Sequence, residues 1–274
     1  MTASPAATSA GSDTNTGLRE NGTVRRVLML LTCLADHPGE PVNSTAARLG
    51  LPRSTTHRLL AMLRADDFAL QNPNGSFGPG PEFYRLAGRV GAKTPYAKLA
   101  QPLLQRLSQQ FEETSIMAVL ARKELRMFYA ATASPPDPMR YNLELNRLEP
   151  LLWGATARVL LAYLTEAEID TALARGEPSP QGEPAPRRGD LLAQLDAIRM
   201  AGHAVTLSHR TRNAVGIAVP FFDADGEVVG DFGFLVPESR FTKRRLAPLR
   251  AGLQEAAGAM SRQLGHVGAG TGSD

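Results

Sequence analysis

The stretch LPRSTTHRLLAMLRADDFALQNPNGSFGPG, residues 51–80, constrains the fold more than any other part of the chain. Pro52 suits the first turn of a helix, because the N–H it lacks would go unbonded there anyway. Thr56, Leu59, Leu60 and Leu63 follow at helical spacing, which predicts a helix to about residue 65 with that face turned inward. Residues 68–70 and 76–78 can pair as short strands around Asn-Pro-Asn-Gly, since Asn-Gly favours a tight reversal. Such a segment needs an apolar layer to pack on. Val24, Val27, Leu28, Leu31 and Leu34 supply one on a helix that ends near the Pro- and Gly-containing break at 36–41. Asn43 or Ser44 can cap a short second helix through residue 49, and Gly50 can close it. Two helices, a Gly-containing turn, a third helix and a hairpin make the winged helix-turn-helix plan.

The rest of the chain changes period. Residues 81–110 read as helix, broken near 91–95. Strands are predicted at 115–121 and 125–131, with Arg122-Lys123 as their turn, and a weaker one at 140–145. Helices follow at 154–164 and 166–174, then a Pro/Gly-rich loop at 175–189. Asp190 can cap a helix through residue 201. Strands at 203–208, 214–221 and 228–236 precede a long helix at 242–264. The predicted fold class is α+β: an N-terminal winged helix-turn-helix, a linker helix, and a C-terminal antiparallel sheet with helices. The expected divisions are an arm at 1–20, the winged helix at 21–80, the linker at 81–95, a second domain at 96–265 and a tail at 266–274.

With Thr56 and the leucines inside, Arg53, Ser54, Thr55, His57 and Arg58 are left on or near the outer face of the third helix. Between Arg48 and Arg64 there are four arginines and no acid. Guanidinium forks and hydroxyls are what a helix needs to meet phosphates and base edges in a major groove. The formal charge of the whole chain is only +3, so any basic surface must be local. Asp66 and Asp67 read as surface residues at the helix end rather than metal ligands. The single cysteine, Cys33, lies in an apolar helical pattern and reads as a buried structural thiol. The Ser/Thr-rich start lacks a signal-peptide pattern, and no apolar run is long enough to span a bilayer; a cytoplasmic protein with no membrane partner is expected.

The string LPRSTTHRLLAML resembles the recognition helix of IclR-type bacterial transcription regulators, with Thr56 where Val is usual. FGPGPEFYRLAGRV is similar to that family's wing exit and linker, with Phe77 in place of Tyr. PLLWGATARVLLAYL and VGIAVPFFDADGEVVGDFGFLVPESRF resemble its ligand-domain segments. The resemblance implies a GAF-like effector-binding domain behind the winged helix. It further implies a homodimer or homotetramer on a palindromic double-stranded DNA operator, and a small organic acid as effector. Arg53, Ser54, Thr55 and Arg58 are the DNA contacts it points to, and His57 stands beside them.

In the strand at 214–221, Val215, Ile217, Val219 and Phe221 alternate with the small Ala214, Gly216 and Ala218. The bulky set should pack against helices; the small set leaves room for either a ligand or a closely packed helix. By resemblance, Ala155 and Thr156 stand where family members hold an effector carboxylate on backbone N–H groups. Leu152-Trp153 replaces the usual His-Ala and Arg158 the usual Lys. Trp153 reads equally as a cap on the cavity or as core. Asp231 either faces the cavity or is solvated on an edge strand. The candidate effector contacts are Tyr141, Trp153, Ala155, Thr156, Thr206, Ala214, Gly216, Asp231 and Gly233. Small residues beside Trp153 and Tyr141 suggest an aromatic or otherwise planar acid. Arg210 and Arg212, in the basic loop 208–213, could attract an anionic effector, although the leading reading is that they are solvated surface residues. No cofactor motif, metal spacing or nucleophile elbow appears, so an enzyme is not expected. His209 with Asp231 is the one acid–base pair to weigh. A constitutive regulator without an effector is the main alternative.

Overall fold

The computed structural model describes residues 22–91, 95–136, 141 and 143–266. The chain separates into two compact units, residues 1–93 and 94–274. The expected arm at 1–20 and the tail beyond residue 266 lie outside the described residues.

In the first unit, the apolar spacing of the sequence becomes a three-helix core. Helix α1 (Thr23–Asp36), α2 (Val42–Leu49) and α3 (Arg53–Ala65) bring together Leu30, Leu34, Leu59, Leu60 and Leu63. Neither Asn43 nor Ser44 caps α2. The helix starts one residue earlier, with Pro41 at the cap position, and Thr45 N–H donates to the Pro41 carbonyl at 3.1 Å. Gly50 takes the left-handed conformation, φ 62°, that closes α2. Pro52 stands at the cap of α3 rather than inside it, and its carbonyl accepts from both the N–H and the hydroxyl of Thr56. That second bond is how a fully buried threonine is tolerated where an aliphatic side chain would pack.

Strands β1 (Ala69–Gln71) and β2 (Phe77–Pro79) pair antiparallel, and Phe77 drops into the helical core. At their tip Asn74 accepts from the N–H and hydroxyl of Ser76, and Gly75 has φ 80°. Gly80 brings the exit of β2 against the end of α3. A Cβ there would stand 2.1 Å from the Asp67 carbonyl oxygen, so only glycine allows the approach. Helix α4 (Pro81–Gly91) follows directly.

The second unit is a six-stranded antiparallel sheet with helices on both faces. Its strands are β3 (Thr114–Ala121), β4 (Arg126–Ala133), β5 (Glu149–Pro150), β6 (Ala204–Leu207), β7 (Ala214–Phe222) and β8 (Val228–Pro237), in the order β5-β4-β3-β8-β7-β6. The bulky side of β7 and Phe232, Phe234 and Val236 of β8 pack against α5 (Pro95–Phe111) and α9 (Lys243–Gln263). The other face carries α6 (Ala155–Leu161), α7 (Glu166–Ala174) and α8 (Arg188–Ala201). Thr165 and Glu168 form a reciprocal capping box at the start of α7. Asp190 does not cap α8; it lies in the first turn of a helix that begins at Arg188, where its charge suits the positive helix end.

The strand expected at 140–145 is not found among the described residues there. Asn146 instead takes a left-handed turn, φ 61°, and donates to the Tyr129 carbonyl at 2.8 Å. The chain then pairs with β4 only at Glu149–Pro150.

Glu113, 1% exposed, sits between α5 and β3 and accepts from Arg240 at 2.8 Å and Arg245 at 2.7 Å. Removing the carboxylate would leave the two guanidinium groups facing each other without their shared partner. Glu113→Gln is expected to destabilise the folded chain by about 2 kcal/mol, less than breaking a fully buried ion pair, because both arginines are about one-third exposed to solvent. Urea unfolding checks this; a loss well under ~1 kcal/mol would mean that solvent replaces the carboxylate.

Candidate functional site

The outer face of α3 is the first site. Arg53, Ser54, His57 and Arg58 are exposed and Thr55 is half-buried, because Thr56, Leu59 and Leu60 claim the inner face. Two of the four arginines in this segment are occupied: Arg48 pairs with Glu40 at 2.8 Å, and Arg64 donates to Gln71 at 2.6 Å. Arg53 and Arg58 have no acidic partner among the described residues, so their charge faces outward. Arg53 and His57 border a shallow groove with Asn43 at the start of α2 and Asn74, Gly75 and Ser76 at the hairpin tip. The His57 ring meets Phe77 edge-on at 6.4 Å, which ties helix and hairpin together. Hydroxyls, amides and unpaired guanidinium groups are thus gathered on one face.

The second site is a cavity of about 370 Å³ in the second unit. Its floor is the small side of β7, Ala214 and Gly216, together with Thr206 of β6 and Ile116 of β3. Gly216 faces the start of α6: a Cβ there would lie 3.3 Å from both the Ala155 Cβ and the Thr206 hydroxyl. Both readings of the small face therefore hold at different points, a packed helix over Ala218 and open space beside Ala214 and Gly216. Ala155 and Thr156 line the cavity from α6, and Tyr129 lines it from β4.

The remaining wall is charged. Arg210 lies across Gly154, whose φ of 88° and ψ of 162° suit glycine alone. A Cβ at Gly154 would come within 2.6 Å of the Arg210 Cδ. The Arg210 guanidinium pairs with Glu149 at 2.8 Å, and Gln181 holds the Arg210 carbonyl at 3.0 Å. His209 also lines the cavity; burial and nearby Arg158 push its pKa down, so it is neutral at pH 7. Burial pushes the Tyr129 phenol up, keeping it protonated and able to donate.

Of the expected effector contacts, Ala155, Thr156, Thr206, Ala214 and Gly216 are brought together at the cavity. The other expected contacts stand apart from its lining. Trp153 is buried core: its indole N–H donates to the Glu177 carbonyl at 3.0 Å, and its ring packs against His209 and Arg158. Tyr141 donates to the Asn213 carbonyl at 3.3 Å. Gly233 is a close-packing position, where a Cβ would stand 2.8 Å from the Ile217 carbonyl. Asp231 is on a central strand between β3 and β7, so it is not an edge residue, and it is not among the residues that line the cavity.

Sequence reasoning missed Tyr129 and Glu149, and it ranked Arg210 as a solvated loop residue ahead of one that attracts an anion. The alternating burial of β4 could have pointed to Tyr129. For Arg210 the only signal was the basic character of its loop, because the fold alone lays that loop over Gly154. Arg158, in the core, donates to the Leu152 carbonyl and to Gln194 at 2.6 Å; burial lowers its pKa to about 10, so it stays charged at neutral pH.

The chain matches two family models: the IclR helix-turn-helix domain over residues 23–73, and the bacterial transcriptional regulator IclR C-terminal domain over residues 90–262. It is 24% identical to the HTH-type transcriptional regulator KipR of Bacillus subtilis, over 90% of this chain and 99% of that protein. An IclR transcriptional regulator from Silicibacter sp. TM1040 superposes with a TM-score of 0.79 at 22% identity, covering 90% of this chain and 97% of the other. An IclR homologue from Microbacterium hydrocarbonoxydans, solved in complex with 4-hydroxybenzoate, superposes at 0.66 with 20% identity, covering 87% and 98%.

Asp231 lies behind the cavity wall, fully buried, with no hydrogen bond of ordinary geometry to either oxygen. Burial raises its pKa well above the usual carboxylate range, and the nearby Thr156 hydroxyl offsets this only in part. Below about pH 4 the carboxyl is protonated whether the chain is folded or not. As pH rises past that point the unfolded chain releases the proton while the folded chain keeps it, so stability falls. Asp231→Asn should remove this contribution. The stability gap between variant and parent is expected to widen from pH 4 upward, by at most ~1.4 kcal/mol per pH unit. Denaturant unfolding across pH 4–7 measures it, and a gap that does not change with pH would show that the folded state holds Asp231 ionised.

Proposed function

The chain belongs to the IclR family of bacterial transcriptional regulators, and from that premise we propose that it is a ligand-responsive regulator. It binds a palindromic operator as a homodimer or homotetramer and senses a small organic acid in the cavity of its second unit. The observation that carries the sensor half is the cavity itself: small residues on its floor, neutral hydrogen-bonding groups at Tyr129 and Thr156, and a guanidinium in its wall. The 4-hydroxybenzoate bound by one structural relative is in keeping with an aromatic acid here.

The DNA half rests on Arg53 and Arg58, exposed on the outer face of α3 and without acidic partners among the described residues. In this reading Arg53, Ser54, Thr55, His57 and Arg58 enter a major groove, and the hairpin lies near the phosphate backbone. A ligand moves the equilibrium between DNA-binding arrangements only by the difference in its affinity for them. Acid–base catalysis has no support in the site, because His209 lines the cavity and Asp231 does not. The relatives are themselves regulators rather than enzymes.

Two measurements test these halves. Arg58→Ala is expected to weaken operator binding by roughly tenfold or more at fixed salt, with the thermal midpoint unchanged. Fluorescence anisotropy on an operator fragment reads this, and unchanged affinity would remove α3 as the DNA-contacting helix. A thermal-shift screen against aromatic and aliphatic acids should raise the midpoint for at least one, since a ligand that binds only the folded state stabilises it by mass action. Retained operator binding with no shift from any acid would favour a constitutive regulator.

A further inference from the structure

We propose that Arg210 is the anion anchor of the cavity and that Glu149 competes with the ligand for it; this rests on the sensor reading above. The site then prefers ligands whose carboxylate can share or take over the guanidinium from an internal carboxylate.

Arg210 has the placement an anchor needs. Its side chain is 16% exposed and borders the cavity, although it comes from a loop. Three contacts fix it there: the Gly154 backbone beneath its stem, Gln181 on its carbonyl, and Glu149 on Nη2. Gln181 also accepts from Arg212 at 2.6 Å, which ties both loop arginines to the 175–189 segment. The other arm is different. Nη1 is buried and has no hydrogen-bond partner among the described residues. A guanidinium offers donors in a planar fork, and a carboxylate is the group whose geometry matches that fork.

Glu149 has the placement a competitor needs. It holds one arm of the fork as a ligand carboxylate would, and it belongs to a two-residue strand at the sheet edge, paired only with Arg126 and Met127. Its second oxygen lies 3.9 Å from Arg147 Nε. A ligand that takes Arg210 therefore leaves Glu149 beside another cation rather than stranded. Tyr129 and Thr156 remain on the cavity wall for a second polar group of the ligand, such as a hydroxyl.

The experiment uses the full chain and its Glu149→Gln, Arg210→Gln and Arg210→Lys variants. Each is titrated calorimetrically with benzoate, 4-hydroxybenzoate and adipate, and with the corresponding neutral amides. The acids are expected to bind and the amides not. Glu149→Gln should tighten acid binding by about fivefold, because it removes the competing charge; Arg210→Gln should weaken it by about tenfold or more. Arg210→Lys should fall between them, since it keeps the charge and loses the fork. Circular dichroism confirms that each variant is folded, and if Arg210→Gln is not, Glu149→Gln decides alone. Acid affinity unchanged in Arg210→Gln, or weakened in Glu149→Gln, overturns the assignment. So does the absence of acid binding to both parent and Glu149→Gln. A neutral compound that still raises the thermal midpoint in that case leaves the sensor reading standing without this anchor.

Discussion

The close approach of α6 to the small-residue side of the central strands is the constraint on which the second unit depends. Every residue of this helix is buried, and it lies on β7 and β8, where Gly216 has no side chain to press on Ala155 and Ala218 has only a methyl group. The same contact creates the cavity. Where α6 begins, its cover over the sheet stops, and the small residues at Ala214 and Gly216 are left facing open space. Gly154 makes the junction, and its lack of a Cβ lets the Arg210 stem cross the helix start. Packing and site are therefore one arrangement. A bulkier residue at Gly216 would press on Ala155 and fill the cavity at once.

Charge is handled in two ways inside this unit. Glu113 is buried with two arginines, so its desolvation is offset by short ion pairs. Arg158 and Asp231 are buried with no opposite charge bonded to them. Their pKa values move toward the neutral form, as burial requires: Arg158 down to about 10, Asp231 well up. At neutral pH the arginine keeps its charge, helped by a carbonyl, an amide and the Trp153 face. The carboxyl has no cation bonded to it among the described residues and only the neutral Thr156 hydroxyl to offset its burial, so neutralisation is its cheaper course. Thr156 thus stands between a buried acid on one side and the cavity on the other.

The DNA-binding unit was legible in the sequence almost to the residue. Its elements are local: each helix is specified by 3.6-residue periodicity, its ends by Pro and Gly, and the hairpin by Asn-Gly. The inward set Thr56, Leu59, Leu60 and Leu63 is the buried set of α3. What the sequence did not disclose there is which arginines are already engaged. Arg48 and Arg64 look like Arg53 and Arg58 in the string, and only the fold brings Glu40 and Gln71 to the first two.

By itself, then, the sequence determined the element order apart from the short edge strand β5, the antiparallel α+β character of the second unit, and the two unequal faces of β7. Periodicity and turn chemistry act within a few residues, so they can be read along a string. Tertiary structure decided what depends on residues far apart in the chain. It moved Trp153 into the core by giving its N–H the Glu177 carbonyl, and it placed Asp231 on a central strand. It also turned Arg210 from an expected surface residue into part of the cavity wall, beside Glu149 from far earlier in the chain. A side chain's surroundings are set by whatever the fold packs against it, and for a charged group those surroundings decide whether it is solvated, neutralised or left available to bind.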